Sequence, residues 1–300
     1  MQKKDKDIRE LISVIWENKL KILTFSFIFF LLSFLYSFSL NDKFKSEAIL
    51  MISDQSSSSN QIPSNYSSIA SIAGLSLPQS DSENKVNLGL EVMLSREFLY
   101  SFIDDRNLMV PIMAAKEWDP INNELIIDKN IYDPINNVWT SSKFLKNGPS
   151  IHDAYEEFLS YITLEKDKVT GFITLSITSP SPINSKEWVN FLIDDINVVT
   201  RNKDLNKTNK ALDFLNDQVS KTSLKELRAV FYSIIESELR KKMLASIADE
   251  YLFSIIDKPI VAERKIAPNR VFISIIGAIL GFIIGLTYVL MLTFFREENV

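Results

Sequence analysis

Two long uncharged apolar runs, one near each end of the chain, limit its fold more than any other feature. They extend from Ile22 to Leu40 and from Val271 to Phe295. At 1.5 Å per residue they reach about 28 and 37 Å, against a hydrocarbon core of about 30 Å. A soluble core helix rarely stays free of charge for so long, so both runs read as transmembrane helices. The mean hydropathy of +0.04 hides them because it averages over a polar middle.

The expected organisation is an N-terminal cytoplasmic segment (1–21), a first span (22–40), an extracytoplasmic domain (41–270), a second span (271–295) and a short cytoplasmic tail (296–300). Lys3, Lys4, Lys6, Arg9, Lys19 and Lys21 precede the first span, and cytoplasmic flanks are rich in Lys and Arg. Both termini are therefore expected in the cytoplasm. Lys258, Arg264, Lys265 and Arg270 precede the second span and favour the opposite orientation. The first helix is given precedence, because long loops translocate largely regardless of charge. Ser37-Phe38-Ser39 loosely mimics a cleavage site, but 21 residues precede the apolar run, which favours an uncleaved anchor.

The middle is long enough for one sizeable core. The absence of cysteine rules out disulfides and thiolate metal sites. A net charge of −5, with no dense basic stripe, gives no support to a nucleic-acid partner. Ile8, Leu11, Ile12, Ile15 and Trp16 recur at helical spacing in an amphipathic helix over Asp7–Leu20. A strand is expected over Phe44–Ile52, then a Ser-rich loop (53–68) and a small apolar patch (67–75). One helix is expected over Val86–Ile103, and irregular structure over 107–150. Ser150 and Asp153 form a capping-box-like start to a helix ending near Ser160. Strands near 162–165 and 172–178 should form a hairpin through Asp167–Gly171.

A long helix should begin near Asn184 and reach Val219. It carries Phe191, Val198, Leu205, Leu212 and Val219 seven residues apart, with Thr208 and Leu215 in the companion position. A second helix should follow a break near Thr222, with a row of Ile235, Leu239, Met243, Ile247, Tyr251 and Ile255 at intervals of four. The two could pack on each other or on further copies of the chain.

Chemistry-bearing motifs are sparse. There is no phosphate loop, nucleophile elbow or dinucleotide fingerprint, and seven glycines leave little room for one. His152 is the only histidine. Asp104-Asp105 and Asp194-Asp195 are adjacent in sequence and point about 100° apart on a helix, so neither pair converges unaided. Arg240-Lys241-Lys242 reads first as a solvated face, with an anionic sugar or lipid phosphate as the alternative. No catalytic residue, cofactor or metal site is expected. Gly277, Gly281 and Gly285 recur every fourth residue in the second span and form a face that lets another helix approach closely. Its partner could be the first span, another copy or a different membrane protein.

The order of these pieces resembles the Wzz-type polysaccharide co-polymerases. The likeness is carried by the stretch from Leu227 to Ala245 with its Met-Leu-Ala, then Glu250-Tyr251, Ile256-Asp257, Ala267-Pro268-Asn269-Arg270 and the Gly-containing span. Upstream it is carried by Leu94-Ser95-Arg96, Asn107-Leu108, and Gly171–Ile177 followed by Ser181-Pro182 and Trp188-Val189-Asn190. Family members often carry more prolines before the second span. Here a pre-membrane motif of Asp257, Pro259 and Pro268 remains. The resemblance implies an α+β fold in which two transmembrane helices flank an elongated periplasmic domain. That domain would hold a small mixed sheet and long membrane-distal-reaching helices. It also implies a non-enzymatic inner-membrane regulator of O-antigen chain length in lipopolysaccharide biosynthesis. Such a regulator acts as a ring-like homo-oligomer with the O-antigen polymerase and its lipid-linked polysaccharide. A variant of that reading serves enterobacterial common antigen, capsule or exopolysaccharide. The few residues after the second span leave no output module for a sensor or kinase, and a glycan hydrolase or transferase lacks a convergent catalytic set.

Overall fold

A computed structural model describes residues 14–53, 82–141, 144 and 148–298. Residues 7–13 of the expected amphipathic helix, the Lys and Arg residues before them, nearly all of the Ser-rich loop and the 67–75 patch lie outside the described residues. The chain divides into two compact units, one made of residues 1–43 with 264–300, the other of residues 44–263. The fold is α+β, with an apolar helix at each end and long helices between.

The first unit is a pair of helices, α1 (Lys19–Phe38) and α8 (Arg270–Glu298). Both are long and apolar enough to cross a membrane. Most of their large side chains, Leu23, Phe27, Leu31 and Leu35 in α1 among them, face outward. That pattern is the inverse of a soluble helix pair.

In the second unit, among the described residues, a four-stranded sheet has the order β6-β7-β1-β8: β1 (Phe44–Ile52), β6 (Ile162–Lys166), β7 (Ile173–Ser179) and β8 (Phe253–Asp257). The sheet expected as mixed is antiparallel throughout. Ala48 and Leu50 of β1 and Ile173, Leu175 and Ile177 of β7 are fully buried. They meet α3 (Arg96–Asp105), α5 (Ile151–Tyr161) and the first half of α6 (Pro182–Lys221) in one core with Phe158, Trp188, Leu192 and Ile196. The expected strand over Phe44–Ile52 and the hairpin through Asp167–Gly171 are both present. In that hairpin Asp167 accepts from Val169 N–H at 2.7 Å, and Gly171 takes φ +75°, which a side chain resists.

Local capping chemistry sets several boundaries. Ser150 Oγ accepts from Asp153 N–H at 3.2 Å, and Asp153 Oδ2 accepts from Ser150 N–H at 2.8 Å, a complete capping box. The single helix expected over Val86–Ile103 is instead two, α2 (Ser82–Met93) and α3. Ser95, at φ −69° and ψ 151°, interrupts it as the N-cap of α3 and accepts from Phe98 N–H at 3.3 Å.

Residues 107–150 are more regular than the prolines suggested. They hold a short helix, α4 (Met109–Met113), and two hairpins: β2 (Ala115–Asp119) with β3 (Glu124–Ile127), and β4 (Tyr132–Asp133) with β5 (Val138–Trp139). Their turns are an exact repeat, Asp-Pro-Ile-Asn-Asn at 119–123 and again at 133–137. Asp119 accepts from Ile121 N–H at 2.8 Å and Asn122 Nδ2 at 2.8 Å, while Asp133 accepts from Ile135 N–H at 2.9 Å and Asn136 Nδ2 at 2.7 Å. Asn123 and Asn137 each take φ +54°, which Asn tolerates. The repeat presents Ile121 and Ile135 at the two tips, 88% and 83% exposed.

The long helix α6 runs for 40 residues from an N-cap at Ser181, and α7 (Lys225–Ile247) returns beside it. Beyond α7 the chain enters β8, a strand the sequence did not announce. One buried side chain fixes that return. Asn197 of α6 accepts from Leu252 N–H at 2.8 Å and Phe253 N–H at 2.9 Å, and donates to Phe253 O at 3.0 Å. Asn197→Ala strands two donors and one acceptor in the interior, a loss on the order of 3 kcal/mol. Thermal unfolding of the full chain in detergent micelles should show the drop. Asn197→Asp, which keeps the acceptor and loses the donor, should fall between.

The repeat gives a pH signature. Asp119 is held below the ordinary carboxylate range mainly by Ile121 N–H, and Asp133 mainly by the Asn136 amide. With the folded pKa depressed, the turns' contribution is complete above the unfolded value and is lost as pH falls through the folded one. In NMR titration, the amide signals of Ile121 and Ile135 should stay in place where a free Asp titrates and move only at lower pH.

Candidate functional site

In the first unit the second apolar helix turns its three spaced glycines toward the first. A Cβ on Gly277 would strike the Ser33 side chain. One on Gly281 would lie 2.7 Å from Phe25 O and 2.9 Å from Ser26 Cα, and one on Gly285 3.0 Å from Phe25 Cβ. The close approach lets Ser26 Oγ donate to Ala278 O at 2.8 Å. Phe25 and Tyr288 add a ring contact with centroids 5.3 Å apart. In hydrocarbon, where no water competes, backbone proximity and such contacts are what hold helices together.

The same unit carries a charged clasp at one end. Lys43 N–H donates to Ala267 O at 2.8 Å, joining the two ends of the chain that leave the helices. Asp42 then accepts from Lys265 Nζ at 2.9 Å and from Arg270 Nη2 at 3.2 Å. The Arg270 guanidinium lies over the Phe38 ring, 4.7 Å from its centroid. Pro268 lies in this unit, after a cis peptide bond from Ala267. Asp257, at the exposed end of β8, and the buried Pro259 belong to the other unit, so the expected pre-membrane motif is shared between two units rather than gathered in one.

In the second unit α6 and α7 form a helical hairpin. Leu215 packs with Val230, Phe231 and Ile234, and lower down Ala245, Ala248 and Tyr251 pack with Leu205. Tyr251 OH donates to Asp204 at 2.7 Å, and burial with this contact pushes the phenol well above its ordinary value. Arg201 donates to Ala248 O at 2.9 Å. The stripe expected on α6 is in place over its second half, where Leu205, Leu215 and Val219 pack on these clusters and Thr208 and Leu212 are buried, but not over its first. In the first half of α6 the buried positions are Ser185, Trp188, Val189, Leu192, Ile193, Ile196 and Asn197, while Val198 of the seven-residue stripe is exposed. The row at intervals of four on α7 is divided: Ile235 packs against the cluster with Leu215, whereas Leu239, Met243 and Ile247 are 50%, 58% and 68% exposed, joined by Tyr232 at 59%. Tyr251 and Ile255 lie past the end of that helix.

The remaining candidates have structural partners. Asp195 accepts from Arg106 at 2.6 Å and 3.2 Å, and Arg106 also covers the Phe191 ring at 4.0 Å. This pairing raises the Arg106 pKa, while burial chiefly raises that of Asp194. Asp104 and Asp105 sit at the exposed end of α3 and do not converge with Asp195 on a metal-binding group. Among the described residues, no group of three His, Asp or Glu side chains is arranged to hold a metal ion. His152 Nδ1 is 3.1 Å from Tyr100 OH in an exposed position. Of the basic run, Arg240 pairs with Glu236 at 3.2 Å and Lys241 with Glu238 at 2.7 Å on the same helix.

Comparison with known proteins bears on the family. The family model described as Wzz: Chain length determinant protein matches residues 5–105, in agreement with the resemblance read from the sequence. No curated protein matches the sequence. Solved structures are also similar, among them the following three. A full-length bacterial polysaccharide co-polymerase is 14% identical with a TM-score of 0.41, and the match covers 98% of this chain and all of that one. A fragment of WzzB, a polysaccharide co-polymerase from Salmonella Typhimurium, is 12% identical with a TM-score of 0.30, covering 76% of this chain and all of that one. A mutant of the Shigella flexneri lipopolysaccharide O-antigen chain-length regulator WzzBSF is 10% identical with a TM-score of 0.24, covering 75% of this chain and all of that one.

The glycine face predicts a graded response. Gly281 meets backbone at 2.7 Å and Gly285 meets nothing closer than 3.0 Å, so Gly281→Leu should disrupt the helix pair far more than Gly285→Ala. Overpacking of this kind costs about 1–3 kcal/mol. With cysteines placed at Ser26 and Ala278, oxidative cross-linking in membranes should fall several-fold in Gly281→Leu and little in Gly285→Ala.

Proposed function

We propose that this chain is an inner-membrane polysaccharide co-polymerase that regulates O-antigen chain length without itself catalysing a reaction. The observation that carries the reading is the family match over residues 5–105, a stretch that takes in α1, β1, α2 and α3. Both apolar helices cross the membrane in this reading, their glycine face holding them as a pair. The Lys-rich N-terminal flank supports a cytoplasmic side for both termini and a periplasmic side for the 41–270 domain.

The open row on α7 supports a homo-oligomer. Tyr232, Leu239, Met243 and Ile247 form an apolar strip that is exposed among the described residues. Such strips mark protein contacts on soluble surfaces. Its occupant is a second copy, and repetition of the contact around an axis closes a ring. The ring works beside the O-antigen polymerase and biases the length of the lipid-linked polysaccharide before transfer.

The test is the lipopolysaccharide ladder of a strain lacking the gene. Loss of the modal chain length, restored by this chain and not by a stably expressed Leu239→Asp/Met243→Asp variant that fails to oligomerise, is the expected result. An unchanged O-antigen ladder in the deletion strain overturns the O-antigen assignment, and a change confined to another surface polysaccharide reassigns the pathway.

A further inference from the structure

Four cations collect at one end of the paired apolar helices: Lys43, Arg264, Lys265 and Arg270. The backbone keeps them together, because Lys43 N–H donates to Ala267 O at 2.8 Å and Lys43 O accepts from Ile266 N–H at 2.9 Å. Asp42 answers only two of them, Lys265 and Arg270. Across residues 39–43 and 264–270 of this unit the count is four cations to one anion.

Arg270 is the organised member. Phe38 lies under its guanidinium, Asp42 takes Nη2, and Nε is enclosed by protein with no hydrogen-bond partner. Its side chain is nevertheless 33% exposed. A planar group fixed on one face and one edge presents its remaining donors in a set direction, which suits a tetrahedral oxyanion better than a freely moving lysine would. Arg270 also opens α8, so the positive end of a 29-residue helix dipole adds to the same field. Among the polar contacts of this end of the unit, Asn269 Oδ1 accepts from Phe272 N–H at 3.2 Å and caps the helix.

The cluster stands where the apolar surface of both helices stops. In a spanning pair that level is the lipid headgroup, rich in phosphate oxygens. We propose that Arg270, with Arg264 and Lys43, binds the phosphodiester of an anionic phospholipid, and that Asp42 limits this binding by holding Lys265 and Arg270 in ion pairs. The proposal rests on the reading of α1 and α8 as membrane spans and on nothing else in the proposed function.

The experiment uses the full chain in phosphatidylcholine nanodiscs doped with dioleoylphosphatidylglycerol, with lipid retention read by native mass spectrometry. Phosphatidylglycerol should be retained about tenfold over phosphatidylcholine, the scale expected for one or two basic side chains at the surface. Lys43→Gln/Arg264→Gln, which breaks no ion pair of the clasp, should lower that preference several-fold. Asp42→Asn should raise it, whereas a purely structural clasp would leave the preference unchanged and lower only the melting temperature. Equal retention of the two lipids by the unaltered chain overturns the proposal. So does matching thermal stabilisation by millimolar inorganic phosphate in pure phosphatidylcholine discs, since the ligand is then free phosphate. A chain extracted from native membranes by alkaline carbonate would reject the spans themselves, an outcome distinct from either.

Discussion

Strand β1 is hydrogen-bonded on both sides, and the rest of the second unit depends on that. It pairs antiparallel with β7 from Phe44↔Ser179 to Leu50↔Ile173, and with β8 from Ile49↔Asp257 to Ile52↔Phe253. Because side chains alternate along a strand, this register alone puts Ser46, Ala48 and Leu50 inward, and a slip of one residue would turn Lys45, Glu47 and Ile49 into the core. Pairing on the β7 side leads directly into α6. Pairing on the β8 side receives the chain as it comes back from α7. The helical hairpin is thus closed at its base by β1, and Asn197 ties helix to returning strand where the two meet.

What was legible in the sequence was whatever local chemistry decides. The apolar runs, the alternation of Phe44–Ile52, the Ser150–Asp153 box and the Asp167–Gly171 turn each contain their own cause within a few residues. The features that were missed have distant causes. β8 has only five residues, and its identity as a strand comes from β1, about two hundred residues earlier. The break at Ser95 was hidden because Leu90, Leu94, Phe98 and Phe102 keep helical spacing across it, while the cap that ends the first helix uses a single hydroxyl. In 107–150 the prolines suggested irregularity, yet Pro120 and Pro134 occupy turn positions where a fixed φ helps a hairpin form.

The long helix shows why one periodicity was read where two operate. Its first half lies on a sheet and buries a broad face, so Trp188, Val189, Leu192, Ile193 and Ile196 fall inside at spacings of three, four and one. Its second half lies along α7 and the residues that follow it, and there Leu205, Thr208, Leu212 and Leu215 make the narrow seam expected of two packed helices. A seven-residue count extended through both halves necessarily misplaces one of them. Phe191 and Val198 were assigned to a seam that starts only at Leu205.

The row on α7 illustrates the converse case, where the period is present in the sequence and the surface it faces was left open. Leu239, Met243 and Ile247 do recur every turn, but Val230, Phe231, Ile234 and Ala245 occupy the side toward α6. An apolar row left in water raises the question of what covering it would cost. Charges beside it are already matched along the helix, Arg240 with Glu236 and Lys241 with Glu238. A partner surface that covered this face would not have to desolvate those charges as isolated ions, the most expensive term in most interfaces. The remaining barrier is side-chain ordering, modest for three aliphatic or thioether groups on a formed helix. By that reasoning α7 is a face suited to be buried against a rigid neighbour, the kind of contact that the proposed homo-oligomer calls for.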